Sequence, residues 1–288
     1  AVLVHNLVKQ YEDTLAVDRL SFQVKTGEIL GLIGPNGAGK TSTMRCICGI
    51  IPATSGQISV GGISLAHQPV AVKQQIAFVP ADPKFFDYLT VREHLQLFVR
   101  LYQSKARDEE LLELLERLEI KDKQHHLPSA LSRGMQQKLM IACALIHKPK
   151  VLIFDEPFTG LDPLAIRNIK LLLLNRAKAG SAIIISSHLL GMVEEIVDRV
   201  MILQRGQKIA HNTIASLSTD LPTLKTTAGL EEIFFQLTNP SSLQSTENTE
   251  NTESTENTEN TESTESTENT ESTESTTLAP QPTSLSQE

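Results

Sequence analysis

The sequence predicts an α/β fold followed by a disordered tail, and three observations support that prediction. Short apolar strands alternate with helical patterns over residues 1–240, as in a sheet covered by helices. A glycine-rich octapeptide at residues 34–41 stands between an apolar run and a helix. Over Ser245–Thr277 the chain repeats Thr-Glu-Asn or Thr-Glu-Ser without one apolar residue. We therefore expect a folded domain at 1–240 and a disordered acidic tail at 241–288, because such a tail cannot bury enough surface to offset its ordering entropy.

Composition and charge exclude several classes of protein. Of the 288 residues 40% are hydrophobic, which suits a globular domain, and no run approaches the roughly 18 apolar residues of a membrane span. Eleven of the 34 acidic residues lie from Ser245 onward, so the rest of the chain is nearly neutral and we expect no nucleic-acid partner. The N-terminus lacks a basic region followed by a long apolar one, so no secretory signal is predicted. Buried free thiols are expected at Cys46, Cys48 and Cys143, without ligand spacing for a metal.

The order of elements follows from apolar runs and turn residues. Near the N-terminus we expect strands at Val2–Lys9, Leu20–Val24, Ile29–Ile33 and Gln57–Val60. A helix is expected from Thr41 to about Ile50, and Gly61-Gly62 is a turn signal.

The middle of the chain is predominantly helical, from about residue 90 to residue 146. There Leu111, Leu114, Leu115 and Leu118 recur at helical spacing, which indicates an amphipathic face packed on the core. Strands return after it, and a helix ends the folded part; the ranges are Val151–Phe154, Ala182–Ser186, Val200–Leu203, Lys208–Ala210 and, for the helix, Leu230–Leu237.

The octapeptide has the G-x-x-x-x-G-K-[ST] form of a phosphate loop, in the strand–loop–helix setting that its chemistry requires. Its glycines let backbone N–H groups point inward at anionic oxygens, and the following helix presents its positive end. Lys40 can reach the β- and γ-phosphates of a nucleoside triphosphate, and the Thr41 hydroxyl can ligate Mg²⁺. The predicted nucleotide-binding residues here are Gly34, Pro35, Asn36, Gly37, Ala38, Gly39, Lys40, Thr41 and Ser42.

A second motif ends the buried strand at Val151–Phe154 with two adjacent carboxylates, Asp155 and Glu156. Asp155 is a candidate Mg²⁺ ligand, directly or through water. Glu156 is a candidate base for the water that attacks the γ-phosphate.

Between these two motifs lies the segment Leu131–Leu139, which we call the signature segment. Ser132 is placed to cap a helix, and Gly134 leaves the backbone there free of side-chain obstruction. The helix start is a second anion-binding element. The chain therefore carries two phosphate-binding elements but one complete pocket.

Leu-Ser-x-Gly-Met just ahead of an Asp-Glu strand resembles the signature of ATP-binding cassette (ABC) ATPases. The resemblance covers about residues 1–237 and implies a P-loop RecA-like core with an N-terminal antiparallel β subdomain and a helical insert at about 90–146. It also implies that Tyr11 stacks on adenine, that Asp162 touches an opposing subunit, and that His188 senses the γ-phosphate.

In the ABC family two ATPase domains pair head-to-tail, with ATP between the phosphate loop of one and the signature of the other. The resemblance therefore implies that Ser132 and Gly134 contact ATP held by a second subunit, a copy of this chain or a paralogue. Closure on ATP and opening after hydrolysis would then supply a mechanical stroke.

Two departures from the family pattern stand out. Arg133 and Met135 replace the first glycine and the glutamine of the familiar Leu-Ser-Gly-Gly-Gln form. Family members place Gln or Glu after the strand that ends near Pro80, whereas this chain has Ala81-Asp82. Alanine can bind neither Mg²⁺ nor water; Asp82 is a candidate partial substitute as metal ligand. We expect altered Mg²⁺ affinity or slower coupling with hydrolysis retained.

The resemblance implies an ATPase subunit that docks on a separate membrane permease at the cytoplasmic face of the cell membrane, with ATP and Mg²⁺ as cofactors. The segment Phe85–Leu95 resembles cassettes of drug, lipid or polysaccharide exporters, and its aromatics are a candidate permease contact or else plain core. The alternatives are a non-transport ABC protein acting on ribosomes or DNA, and a nucleotide-binding module with weakened hydrolysis.

Overall fold

The computed structural model describes residues 1–220 and 229–238, so the predicted tail lies outside the described residues. Within these residues ten strands form two sheets: β1 (Val2–Tyr11), β2 (Thr14–Val24), β3 (Ile29–Ile33), β4 (Ser55–Val60), β5 (Ile63–Ser64), β6 (Ile76–Val79), β7 (Val151–Asp155), β8 (Ala182–Ser186), β9 (Arg199–Gln204) and β10 (Gln207–Asn212). The α-helices of the described residues are α1 (Lys40–Ile47), α2 (Pro69–Lys73), α3 (Val91–Leu101), α4 (Asp108–Arg117), α5 (Arg133–Leu145), α6 (Pro163–Lys178), α7 (Leu190–Glu194), α8 (Ile214–Asp220) and α9 (Leu230–Thr238).

The smaller sheet has four strands in the order β2-β1-β4-β5, all antiparallel. One of its faces is apolar and buried, as Val2, Val4 and Leu7 show, while Leu3 and His5 between them are exposed. This alternation is what the two-residue period of a strand produces when one face covers a core.

The larger sheet has six strands in the order β10-β9-β3-β8-β7-β6, parallel except for the β10–β9 pair. All five residues of β3, β7 and β8 are buried. Continuous apolar strands are typical of a parallel sheet covered on both faces. Because parallel strands share a direction, the carboxyl ends of β3, β7 and β8 meet at one edge, and this edge carries the candidate site.

Helices α3, α4 and α5 lie between β6 and β7 in the chain. Helix α3 begins with a capping box, in which Thr90 and Glu93 satisfy each other's backbone N–H groups. The predicted leucine face is buried at Leu111, Leu115 and Leu118. The domain boundaries proposed from the sequence remain predictions.

Several elements differ from the sequence-based expectation. Strand β2 begins at Thr14 rather than Leu20, and α1 ends at Ile47 because Gly49 takes a left-handed φ of 63° and closes the helix. The short β5 and α2 were not expected. Helix α6 was not expected either, although Asp162-Pro163 is a helix-start signal. The three cysteines are free and buried, as predicted. Among the described residues, the helices are all too short or too polar to span a bilayer.

Candidate functional site

The phosphate loop connects β3 to α1 at the edge of the larger sheet. Gly39, the residue before α1, has φ of 99°, and a Cβ there would lie 2.3 Å from the Ala16 carbonyl oxygen. Gly37 also has positive φ, at 80°, with open space where a Cβ would be. Only glycine fits at Gly39 without moving the backbone, so the loop conformation depends on that residue.

Lys40 folds back over this loop. Its Nζ donates to the carbonyl oxygens of Gly34 at 2.6 Å and Pro35 at 3.1 Å, and the residue is 9% exposed. Burial lowers the pKa of Lys40, and the charges of Glu156 and Asp155 oppose that shift. The ammonium group is thus held at the mouth of the loop between backbone oxygens, within the field of the two carboxylates.

Asp155 joins the phosphate loop to the sheet. Its Oδ2 accepts a hydrogen bond from Thr41 Oγ1 at 2.9 Å, and its Oδ1 accepts one from Ser186 Oγ at 2.7 Å. The residue is 5% exposed. A buried carboxylate is costly without donors, and two hydroxyl groups meet that requirement here. Thr41 and Asp155, the two candidate Mg²⁺ ligands of the sequence motifs, are therefore adjacent.

Glu156 lies one residue beyond the end of β7 in a left-handed backbone conformation, with φ of 54°. Its Oε2 accepts a hydrogen bond from the His188 backbone N–H at 3.1 Å. The same oxygen lies 2.8 Å from Nδ1 of the His188 ring, a second hydrogen bond. His188 is exposed, with 61% of its side chain open to solvent. The pair brings a carboxylate and an imidazole together where β7 and β8 end.

Tyr11 lies beside the start of α1. Its hydroxyl is 3.3 Å from Ser42 Oγ, and Lys9 Nζ lies 4.7 Å from the ring centroid, a cation–π contact. The ring remains 41% exposed. An aromatic face near the phosphate loop is available for stacking.

The signature segment is placed by α5. Ser132 caps this helix by accepting from the Met135 N–H at 3.3 Å, and both Ser132 and Arg133 are exposed. A Cβ on Gly134 would lie 3.0 Å from the Gly160 carbonyl oxygen, so the segment packs closely on the loop that precedes α6. That loop ends at Asp162.

Asp162 caps α6 through a 2.8 Å hydrogen bond from the Ala165 N–H, and that bond lowers the pKa of the carboxyl group. The side chain is at the surface, next to the signature segment. The family resemblance implies that the signature segment and Asp162 both face an opposing subunit. These two elements are neighbours in this chain.

Asp82 stands apart from the other candidate metal ligands. It is exposed and forms an ion pair with Lys84 at 2.6 Å, which lowers its pKa. Within the described residues, no hydrogen bond or ion pair joins Asp82 to Thr41 or Asp155. Its role as a metal ligand remains a prediction.

One polar residue at this edge was not a sequence-based candidate for the site. Ser186 ends β8, and the parallel register sets it directly beside Asp155 of β7. Parallel pairing of β7 with β8 could have been expected to bring Ser186 near Asp155, but the sequence does not specify the register of the two strands. Among residues 1–220 and 229–238, no group of three His, Cys, Asp or Glu side chains could hold a metal ion unaided.

Comparisons with known proteins agree with this architecture. Residues 17–159 match the family model described as ABC transporter. The chain is 34% identical over 238 residues to the ABC-type transporter ATP-binding protein EcsA of Bacillus subtilis, covering 82% of this chain and 95% of that one. It is 35% identical over 239 residues to the linearmycin resistance ATP-binding protein LnrL of the same organism, covering 80% and 76%.

A solved structure described as the ATP binding subunit of an ABC transporter superposes with a TM-score of 0.77 at 33% identity, covering 82% of this chain and 99% of that one. The family model, the two relatives and this structure all carry the same assignment. The two-sheet architecture with its phosphate loop at the edge of the larger sheet is the ABC ATPase fold. The chain belongs to the ABC transporter family, as an ATP-binding protein.

Proposed function

We propose that this chain binds ATP with Mg²⁺ and hydrolyses it to drive a membrane transporter, of the exporter class. One observation carries the proposal: a hydrogen-bonded series runs from Thr41 through Asp155 and the Ser186 hydroxyl to the backbone N–H of Glu156, whose side chain pairs with His188. The phosphate-binding, metal-binding and base functions need these residue types in contact with one another. A nucleotide-binding module without chemistry would not need Glu156 and His188 to be paired.

The residues fit Mg²⁺ bound together with phosphates. Mg²⁺ is held in proteins by one or two oxygen ligands, the rest of its shell being water and substrate phosphate. Thr41 Oγ1 and the Asp155 carboxylate are such ligands, and they already lie 2.9 Å apart. When bound, the ion would neutralise charge on the β- and γ-phosphates.

The chain's own residues then have distinct tasks. Backbone N–H groups of the phosphate loop and Lys40 bind the phosphates, replacing the carbonyl contacts that Lys40 makes with Gly34 and Pro35. Glu156 takes the proton of the attacking water, and His188 orients the Glu156 carboxylate while facing the γ-phosphate. Tyr11 stacks on the base.

We infer that the working form is a head-to-tail pair. Ser132 and Asp162 are exposed with the half-buried Gly134 beside them, and the side chains of Ser132 and Asp162 accept hydrogen bonds from the helices that they cap. In a pair this surface would close over ATP held by the second subunit. The pair would be formed by two copies of this chain or by a paralogue.

We also infer a separate membrane permease as partner, with this chain at the cytoplasmic face of the cell membrane. Phe86 and Tyr88 are 61% and 91% exposed in the loop before α3, so this segment offers an aromatic contact surface. Phe85 instead packs against the core, where the sequence left both readings open. The resistance protein LnrL among the relatives favours export over import.

The test is an ATPase assay with Mg²⁺, with and without the proposed membrane permease. Glu156→Gln should reduce turnover by at least about 100-fold, the usual contribution of a general base, while ATP binding is kept. The matched control is Glu109→Gln, which changes an exposed glutamate of α4. This variant should keep wild-type turnover. No activity in the wild type, even beside the permease, would overturn the proposed hydrolysis.

A further inference from the structure

The hydroxyl group of Ser186 lies between the two acidic residues that end β7. Ser186 Oγ donates to Asp155 Oδ1 at 2.7 Å and accepts from the Glu156 backbone N–H at 3.2 Å. The Glu156 N–H also points at the Ser186 carbonyl oxygen, at 3.1 Å. Ser186 is fully buried, so no water can replace these bonds.

A serine hydroxyl has one hydrogen to donate and lone pairs to accept with, so its two contacts here differ in kind. By donating to Oδ1, Ser186 leaves Oδ2 of Asp155 turned toward Thr41. By accepting from the Glu156 N–H, the same oxygen fixes the backbone on which that side chain is carried. One hydroxyl therefore orients the Asp155 carboxylate and, together with the Ser186 carbonyl oxygen, holds the backbone that carries Glu156.

We propose that Ser186 is a positioning residue that aligns the metal-side carboxylate of Asp155 and the base Glu156 for the same nucleotide. The inference rests on the proposed function, since it assigns Ser186 a role at that site. Ser186 is fully buried and acts through its contacts with Asp155 and Glu156.

The neighbouring residue shows that the arrangement is particular to Ser186. Ser187 is also buried, but its hydroxyl accepts from the Leu189 N–H, at 3.0 Å, and so stabilises its own turn. Ser181, at the opposite end of β8, donates to the Pro149 carbonyl oxygen at 2.9 Å. Both bond to backbone, whereas Ser186 bonds to a carboxylate side chain.

The test compares Ser186→Thr with Ser186→Val, because the two side chains have the same shape and differ in the hydroxyl alone. Ser186→Ala is the third variant, and Ser181→Ala is a control for the loss of a buried serine, at the residue just before the same strand. Binding of a nonhydrolysable ATP analogue is titrated with Mg²⁺, and repeated in EDTA. Melting temperature is measured without nucleotide.

We expect Ser186→Val and Ser186→Ala to need about tenfold more Mg²⁺ for half-maximal binding, the effect of leaving a buried carboxylate oxygen without its donor. Ser186→Thr should stay within about twofold of the wild type, as should Ser181→Ala. Binding in EDTA should be the same for all the proteins, because the phosphate loop itself is unaltered.

Equal Mg²⁺ requirements for Ser186→Thr and Ser186→Val would overturn the positioning role. So would a shift that follows melting temperature alone and appears in Ser181→Ala as well, since that is the behaviour of a structural residue. A wild type that binds the analogue without any effect of Mg²⁺ would overturn the proposed metal site itself, and the role of Ser186 with it.

Discussion

The two predicted phosphate-binding regions of this chain differ in how their polar groups are satisfied. At the edge of the larger sheet, Asp155, Glu156 and His188 bond to one another or to Ser186; the Asp155–Ser186 contact is buried and the Glu156–His188 contact is exposed. In the signature segment, Ser132 bonds to its own helix and its surroundings are open. The polar groups at the sheet edge are satisfied within the chain, whereas the signature segment presents an open surface whose proposed ligand is ATP held by a second subunit.

This difference suggests a division of labour between the two regions. Residues whose mutual contacts are already made need no second subunit to take up their geometry, so the sheet edge should bind ATP in a single chain. The signature segment should matter only once a pair forms. The predictions below separate binding from turnover on this basis.

The largest effect is expected from removing the charge of the phosphate loop. Lys40→Met should weaken ATP binding by about 100-fold, because charge-assisted hydrogen bonds to phosphate are lost. Equilibrium binding of ATP to the isolated chain measures this. Lys178→Met, at an exposed lysine, should bind as the wild type does. Retained affinity in the Lys40 variant would mean that the loop is not the phosphate site.

A smaller effect, confined to turnover, is expected in the signature segment. Ser132→Asp keeps a good helix cap but adds a negative charge, which should repel ATP held by a second subunit. We expect turnover to fall by about 10- to 100-fold with ATP affinity of the single chain unchanged. Thr213→Asp changes another capping hydroxyl, at α8, and is the matched control. An equal loss of affinity and turnover would contradict the division between the regions.

A several-fold effect is expected where the chain departs from its family. Ala81→Gln should change the Mg²⁺ concentration needed for half-maximal turnover, or the turnover rate, by about threefold to tenfold, because an amide can bind near the metal and the water. Steady-state ATPase rates over a Mg²⁺ series measure both quantities. Ala81→Met controls for side-chain length. If both quantities stayed at wild-type values, the departure at Ala81 would have no catalytic meaning.

The smallest effect is on stability, remote from both regions. His147 stacks on Tyr102 with ring centroids 3.8 Å apart, and burial lowers its pKa to about 4. The folded state therefore keeps this imidazole neutral, whereas the unfolded chain protonates it near pH 6.5. Stability should fall as pH drops from about 6.5 toward 4, by at most about 1.4 kcal/mol per pH unit for this one proton.

Urea unfolding at pH 7 and pH 5 tests this linkage. His147→Phe keeps a stacked ring without a titrating group, so its loss of stability between the two pH values should be smaller than in the wild type. His125→Phe, at an exposed histidine, should leave the pH dependence unchanged. A His147→Phe protein with the wild-type pH dependence would show that this residue does not control it.

The sequence predicted the site best where one short motif contains all the contacts. The phosphate loop and the Asp155-Glu156 strand end are local patterns, and both lie where they were expected. The Thr41–Asp155 contact could be foreseen too, because both motifs are predicted to supply ligands to one Mg²⁺ ion. Roles assigned to individual residues remain predictions in every case.

Contacts between distant segments were harder to foresee. The place of Ser186 beside Asp155 depends on which residues of β7 and β8 pair, and apolar runs of equal length leave that register open. The packing of Gly134 on Gly160 likewise depends on how two loops meet in space. The short β5 and α2 carry too few residues for a periodic pattern to be recognised.

The left-handed backbone of Glu156 has a consequence for engineering. A residue other than glycine held at φ of 54° costs about 1 kcal/mol or more, and asparagine or glycine would adopt that conformation more easily. A search for heat-resistant variants would therefore favour changes at this position that relax the backbone. Each of them would remove the carboxylate, so thermal selection and selection for turnover would choose opposite residues at the same place.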